Sequence, residues 1–179
     1  MTKLQIGDSF IDFTLPATDG QNYRASEVLS TAQALVVVFT CNHCPYVLAW
    51  EERLMQIAHD YAAQGVSMLA INANDVVKYP DDSFENMKKR AEQKHYMFSY
   101  LWDESQEVAH AYGAERTPEL FIFDAAGKLR YHGALDDNYM DEQAVKHHYA
   151  RKALDAILAG QEVAIAETRA VGCTVKYRL

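Results

Sequence analysis

Apolar positions change period several times along the chain, and each change predicts an element. The run "ALVVVF" at 34–39 is continuous and β-branched, as a strand covered on both faces reads. Directly after "TCNHCPY" at 40–46 the period becomes helical: Val47, Trp50, Leu54, Ile57 and Tyr61 recur at steps of three and four, and Gly65 supplies a stop. "VSMLAI" at 66–71 is a second buried strand, joined by the polar "NANDVVKYPDD" to a helix over about 83–95. Asp82 and Glu85 there resemble a capping box, and Phe84, Met87 and Ala91 form the apolar stripe. "FSYLW" suggests a short strand. The following helix is announced by Asp103 and Gln106, carried by Val108, Ala109 and Tyr112, and stopped by Gly113. "ELFIF" at 119–123, a turn at "DAAGK" and "LRYHG" at 129–133 predict an antiparallel hairpin. A last helix is expected from Asp141 to Ala159, with Val145, Tyr149, Ala153 and Ile157 on one face and Gly160 beyond. Upstream of all these, short apolar stretches around Asp19-Gly20 predict an N-terminal hairpin, followed by a helical turn near 26–29. The tail "QEVAIAETRAVGCTVKYRL" has no readable period.

Alternating strand and helix, then hairpin and helix, define an α/β sandwich with a mixed central sheet flanked by helices. The length of 179 residues suits one domain, with the hairpin at 4–33 as an N-terminal extension and 161–179 as a C-terminal tail. Seventeen Lys and Arg against 25 Asp and Glu give a formal charge of -8, which argues against a nucleic-acid partner. No window approaches the roughly 20 apolar residues of a membrane span, and "MTKLQIGDSF" lacks the apolar core of a signal peptide. The expectation is a cytoplasmic protein without a membrane partner. Three cysteines are too few for a stapled scaffold, which leaves Cys41 and Cys44 as a catalytic pair or a metal-ligand set.

A helix N-terminus favours the thiolate, the reactive form of cysteine, through its free backbone N–H groups and its dipole. Cys41 is expected at that place. Cys44, one turn on, is able to come within disulfide distance of it, and Pro45 costs little in a first helical turn. Strand, Cys-x-x-Cys and helix in this order resemble the redox centre of the thioredoxin superfamily. Thioredoxin-like proteins place a cis-proline beside that centre, just before the C-terminal hairpin, and "RTPELFIFD" puts Thr117-Pro118 there. The hairpin "FTLPATDG", the inserted helix and "FIFDAAGKL" resemble the branch that also holds peroxiredoxins and membrane-tethered thioredoxin-like reductases, over about residues 4 to 160. The resemblance implies a thioredoxin-like sandwich with an N-terminal hairpin and an inserted helix. It also implies dithiol exchange, with Cys41 the exposed nucleophile, Cys44 the resolving thiol, and Thr117 and Pro118 lining the partner's groove.

Departures from the family pattern are informative. Thioredoxin has Trp before its first cysteine and Gly-Pro between the two; this chain has Thr40 and Asn42-His43. A histidine before the second cysteine also occurs in the periplasmic disulfide-forming oxidant, so His43 is a candidate for tuning the pair. Thioredoxin's buried acid falls at Leu35 here, which leaves Glu119 as the nearest candidate for proton transfer to Cys44. Cys173, in a "GCxxK" ending found in relatives of this branch, is either a second exchange partner or a lone buried thiol.

Three other readings stand beside exchange. A peroxidase is one, because the peroxidatic cysteine of peroxiredoxins is also followed by proline. Its motif needs Thr three positions earlier, where this chain has Cys41, and Arg116 is the residue to compare with a peroxiredoxin arginine. A Zn or Cu site built from Cys41, His43, Cys44 and a distant histidine is another, although His147-His148 on a helix would diverge. The third is a pair of merely buried thiols. His59, His95, His110 and His132 read as solvated or satisfied, and "LDDNYMDE" as a loop before a helix start. The favoured expectation is a thiol-disulfide oxidoreductase acting as reductant on disulfide-containing proteins or small molecules. An upstream thiol reductant recharges it, and it needs no cofactor beyond a redox-active Cys41-Cys44 disulfide. The sequence sets no oligomeric state.

Overall fold

The computed structural model describes residues 3–179. Paired N-terminal strands β1 (Thr14–Pro16) and β2 (Asn22–Arg24) lead into helix α1 (Ala25–Ser30). The main run follows as β3 (Ala34–Thr40), α2 (Pro45–Ala62), β4 (Val66–Asn72), α3 (Phe84–Lys94), β5 (Ser99–Trp102) and α4 (Glu107–Tyr112). Then come β6 (Arg116–Thr117), β7 (Glu119–Asp124), β8 (Leu129–Gly133), α5 (Tyr149–Leu158) and β9 (Cys173–Thr174). The central sheet has the order β5-β4-β3-β7-β8, parallel across β5, β4 and β3 and antiparallel from β3 through β7 to β8. This mixed sheet with helices on both faces is the thioredoxin-like sandwich expected, N-terminal hairpin and inserted helix included.

The strand period of two explains the two cores. Leu35, Val37 and Phe39 of β3 face the hairpin and α4, meeting Leu15, Ala109 and Tyr112. Val36 and Val38 face the other way, against Trp50, Leu54 and Ile57 of α2 and Ala153 and Leu154 of α5. With every β3 residue buried, the strand is fixed in height, and its carboxyl end delivers Thr40 and Cys41 to one rim of the sheet.

Four expectations are corrected. The final helix spans Tyr149–Leu158 and does not begin at Asp141. Upstream of it, Asp141 Oδ1 accepts from Gln143 N–H, Asn138 Oδ1 from Met140 and Asp141, and Asp137 Oδ1 from Lys146. These local side-chain bonds compete with the helical ladder and leave only a short 3₁₀ turn at Glu142–Ala144. His147 and His148 therefore precede the helix. The cap of α3 is Ser83, whose Oγ accepts from Asn86 N–H at 3.2 Å, while Asp82 is buried in a 3₁₀ turn, Pro80–Asp82. Gln106 caps α4 by backbone alone, and its side chain donates to the Ala73 carbonyl at 2.6 Å.

The tail without a period is a strap. It pairs with β8 through His132 N–H to Ala166 O and Thr168 N–H to His132 O, both at 3.0 Å. It then crosses to β6, with Thr117 opposite Cys173 and Arg116 opposite Thr174. Its partners belong to two edges, and so no single strand period marks it. Gly133, at φ +145°, is where the strap lies closest: a Cβ there would fall inside contact distance of the Thr168 backbone. Gly133→Ala is expected to cost about 1–3 kcal/mol and to expose residues after Gly160 to limited proteolysis, read by chemical denaturation and by cleavage mapping.

Candidate active site

Cys41 directly follows β3, and Cys44 is the N-cap of α2, with Pro45 at the first helical position. Cys41 is 2% exposed and Cys44 4%. Both face the loop that enters the hairpin: Cys41 Sγ lies 3.7 Å from Thr117 Oγ1, and Cys44 Sγ lies 3.5 Å from the Thr117 carbonyl oxygen. The Thr117-Pro118 peptide is cis. Thr117 and Pro118 thus stand where the resemblance placed them.

The two thiols differ in protonation. Cys44 is lowered to about 4, first by a hydrogen bond from the Cys41 thiol, with further help from the Cys173 thiol and from the Val47 and Cys173 amides, which together outweigh burial. The Val47 amide contributes without reaching the geometry of a full capping bond. Cys41 is raised far above the ordinary cysteine range, first by the same bond to Cys44, then by burial and by the nearby negative charge of Asp82. The interaction between the two sulfurs thus favours the thiolate on Cys44 over the thiolate on Cys41. The Thr117 carbonyl suits only the protonated form of Cys44, as an acceptor. Cys41 is buried, unlike the exposed nucleophile the resemblance implies, and Cys44 is the sulfur at the helix N-terminus.

A polar shell closes one side of the pair. Asp82 accepts from Asn42 N–H at 2.7 Å, Asn72 Nδ2 at 3.1 Å and Asn74 Nδ2 at 2.9 Å. Tyr100 O–H donates to Asn42 Oδ1 at 2.8 Å, so the Cys-x-x-Cys loop is locked from the 3₁₀ turn and from β5. Half-exposed His43 turns its Nδ1 toward Asp82 Oδ2 at 3.5 Å. Thioredoxin's acid, absent at Leu35, has a counterpart in Asp82 from a different element. The sequence held a signal for it: "NAND" follows a buried parallel strand, and sites form beyond the carboxyl ends of such strands. Among the described residues no group of three or more His, Cys, Asp or Glu side chains is placed to hold a metal ion.

Glu119 has a task other than the one expected. It is fully buried, its Oε2 accepts from the Glu115 and Arg116 amides at 2.7 and 2.9 Å, and its Oε1 lies 2.6 Å from His132 Nε2. Burial alone would raise its pKa, but His132 and the two amides outweigh that and hold it below the usual carboxylate range. Its bonds brace β6, the strand that carries Thr117. His132, read from sequence as a satisfied side chain, is the buried partner of this carboxylate.

Cys173 packs on Cys41, Cys44 and Val47 and keeps partial exposure. Its thiol is raised to about 11, first by burial, then by the bond to and charge of Cys44. Arg116 is bound to the strap, donating from Nη1 to the Gly172 carbonyl at 3.4 Å.

Fold and site together define a thioredoxin-like redoxin. The AhpC/TSA family profile matches residues 6–132, more than half of the chain, and the chain belongs to that family. It is similar in structure to an uncharacterized conserved protein from Geobacillus kaustophilus, at 44% identity and TM-score 0.91, over 97% of this chain and 93% of that one. A hypothetical protein from Sinorhizobium meliloti gives 36% identity and TM-score 0.92, over 99% and 97%. A candidate thiol:disulfide interchange protein, DsbE, from Chlorobium tepidum shares the fold at 21% identity and TM-score 0.65, over 88% and 98%. Comparison with curated proteins finds no match.

Two predictions follow from the charges. A pH titration of thiolate ultraviolet absorbance in the reduced protein should show one thiolate per chain appearing near pH 4 and missing from Cys44→Ser. Because that pKa is depressed, the stabilisation it brings is complete above the unfolded value of about 8.5 and is lost as pH falls through about 4. An absorbance step only above pH 8 would contradict the assignment. The depressed Glu119 carboxylate likewise stabilises above its unfolded value of about 4.3 and fails on further acidification. Glu119→Gln should therefore lower stability at pH 7 by about 1–3 kcal/mol and flatten its fall in acid, measured by urea unfolding across pH.

Proposed function

We propose that the protein is a thiol-disulfide oxidoreductase working through Cys41 and Cys44. The observation that carries this reading is geometric: two buried sulfurs, one directly after β3 and the other at the N-cap of α2, both lie against Thr117 of the cis Thr117-Pro118 peptide. In the reductive direction the Cys44 thiolate attacks one sulfur of a partner disulfide. A Cys44-partner bond forms, and the partner's other sulfur leaves as thiolate. Cys44 then carries no charge, which removes the largest cause that held the proton on Cys41. Cys41, once deprotonated, attacks Cys44 Sγ, closes the Cys41-Cys44 disulfide and expels the second partner thiolate. Two electrons have passed to the partner.

The partner is a disulfide-containing protein or small molecule whose chain lies along Thr117-Pro118, an upstream thiol reductant recharges the pair, and the setting is cytoplasmic. The ionised Cys44 stabilises the dithiol form, which raises the potential by some tens of millivolts relative to ordinary thiols, on the order of 30 mV per pKa unit below the ambient pH. The potential therefore decides how far electron flow runs toward the partner.

A specific observation favours a second reading, thiol-dependent peroxidase: the thiolate sits on Cys44, the cysteine followed by Pro45, inside an AhpC/TSA chain. Cys41→Ser separates the two. Exchange requires that this variant lose turnover of a disulfide peptide with dithiothreitol, as Cys44→Ser does; retained peroxide turnover in Cys41→Ser would establish the peroxidase. The pH dependence of the potential is a further check. With one thiolate already ionised, the slope is expected to be about -30 mV per pH unit between about pH 5 and 8, against about -60 for two ordinary thiols.

A further inference from the structure

Burial of both sulfurs of the central pair leaves an access problem. Cys41 and Cys44 are 2% and 4% exposed, whereas Cys173 packs on both and keeps partial exposure. Its position is built in. β9 is held on β6 in register, with Cys173 opposite Thr117, the residue whose side chain and carbonyl touch Cys41 and Cys44. Gly172 permits this approach: a Cβ there would fall deep inside contact distance of the Thr117 carbonyl. On the far side Val175 N–H donates to Glu115 O at 3.0 Å and Lys176 N–H to Asn74 Oδ1 at 2.8 Å. Glu119 in turn holds the Glu115 and Arg116 amides that shape β6. The strap therefore presents a third thiol to the pair.

We propose that Cys173 is a redox-active relay thiol, exchanging with Cys44 and carrying the disulfide from the buried pair to the surface, where an external thiol meets it. The proposal rests on the dithiol-exchange reading above. In the oxidised protein, Cys173 as thiolate attacks Cys44 Sγ; the Cys44-Cys173 bond forms and Cys41 leaves, taking up the proton that Cys173 gave away. An external thiolate then attacks Cys173 Sγ, forming a mixed disulfide and releasing Cys44. A second external thiolate attacks the external sulfur of that mixed disulfide, freeing Cys173 and leaving the external disulfide. Two external thiols are oxidised and one protein disulfide is reduced. In the second step Cys44 leaves as a thiolate favoured by its neighbouring donors, whereas in the first step Cys41 leaves by taking up the proton that Cys173 gave away. The causes that raise Cys173 beyond burial, its bond to Cys44 and the charge there, vanish once Cys44 is in a disulfide.

The test compares rates and links. Oxidised wild type and Cys173→Ser are mixed with glutathione, quenched with acid, alkylated and mapped by peptide mass, and the Cys41-Cys44 potential of each is measured. The relay requires reduction of Cys173→Ser to be slower by about tenfold or more, and by more than any change in its measured potential accounts for. It also requires a Cys44-Cys173 disulfide in oxidised Cys41→Ser. Gly172→Ala keeps the thiol but displaces it and should slow reduction likewise; Thr174→Ala, next to Cys173 on the strap, should not. Reduction of Cys173→Ser at the wild-type rate, or absence of the Cys44-Cys173 link in Cys41→Ser, overturns the relay while leaving exchange at the central pair standing. Absence of any Cys41-Cys44 disulfide in wild type overturns both.

Discussion

One constraint organises this site: two buried sulfurs, Cys41 directly after β3 and Cys44 at the N-cap of α2, are held side by side against Thr117. The interaction between the two is the largest cause of both shifts, lowering Cys44 and raising Cys41. A thiolate charge on Cys44 is costly to bury without donors. The helix N-terminus supplies the Val47 amide, the strap supplies the Cys173 amide and thiol, and Cys41 supplies the rest. In the proposed exchange, bond formation at Cys44 removes that charge, and with it the largest cause holding the proton on Cys41.

The rest of the structure keeps that pair in place. β3 is buried along its whole length and fixes Cys41 from one side, while α2, buried along Val47, Trp50, Leu54 and Ile57, fixes Cys44 from the other. Asp82, reached from β4 and the 3₁₀ turn before α3, clamps Asn42 between the cysteines and adds negative charge that keeps Cys41 protonated. Glu119 and His132 brace the opposite wall, whose Thr117 touches both sulfurs. Each of these groups is buried and bonded, and no buried side-chain nitrogen or oxygen among the described residues lacks a partner.

Elements with a strong local period were legible from sequence. β3, α2, β4 and the β7-β8 hairpin follow their apolar patterns to within a residue or two, and the Cys-x-x-Cys and Thr-Pro landmarks fell where the fold needs them. Long-range polar pairing was not legible. Asp82 looked like a helix cap because capping and burial use the same residue type, and only the fold brings it to Asn42, 40 positions earlier. Glu119 was matched to the chemistry by its place beside Pro118, yet its bonds run to a backbone and to His132. The segment after Asp136 carried a helical period and lost it to side-chain turns. The strap has no period because it pairs with two different edges in turn. Nor does a cysteine spacing reveal which sulfur is ionised; that depends on donors supplied by a residue more than a hundred positions away.

The most direct test of the account is the pairing of the cysteines at equilibrium. The protein is equilibrated in graded thiol-disulfide buffers, trapped with an alkylating reagent and mapped by peptide mass. The account predicts that Cys41 and Cys44 lose alkylation together, in one two-electron transition, and are recovered as a linked peptide pair. Full alkylation of both cysteines in the most oxidising buffer, with no linked peptide, would contradict it.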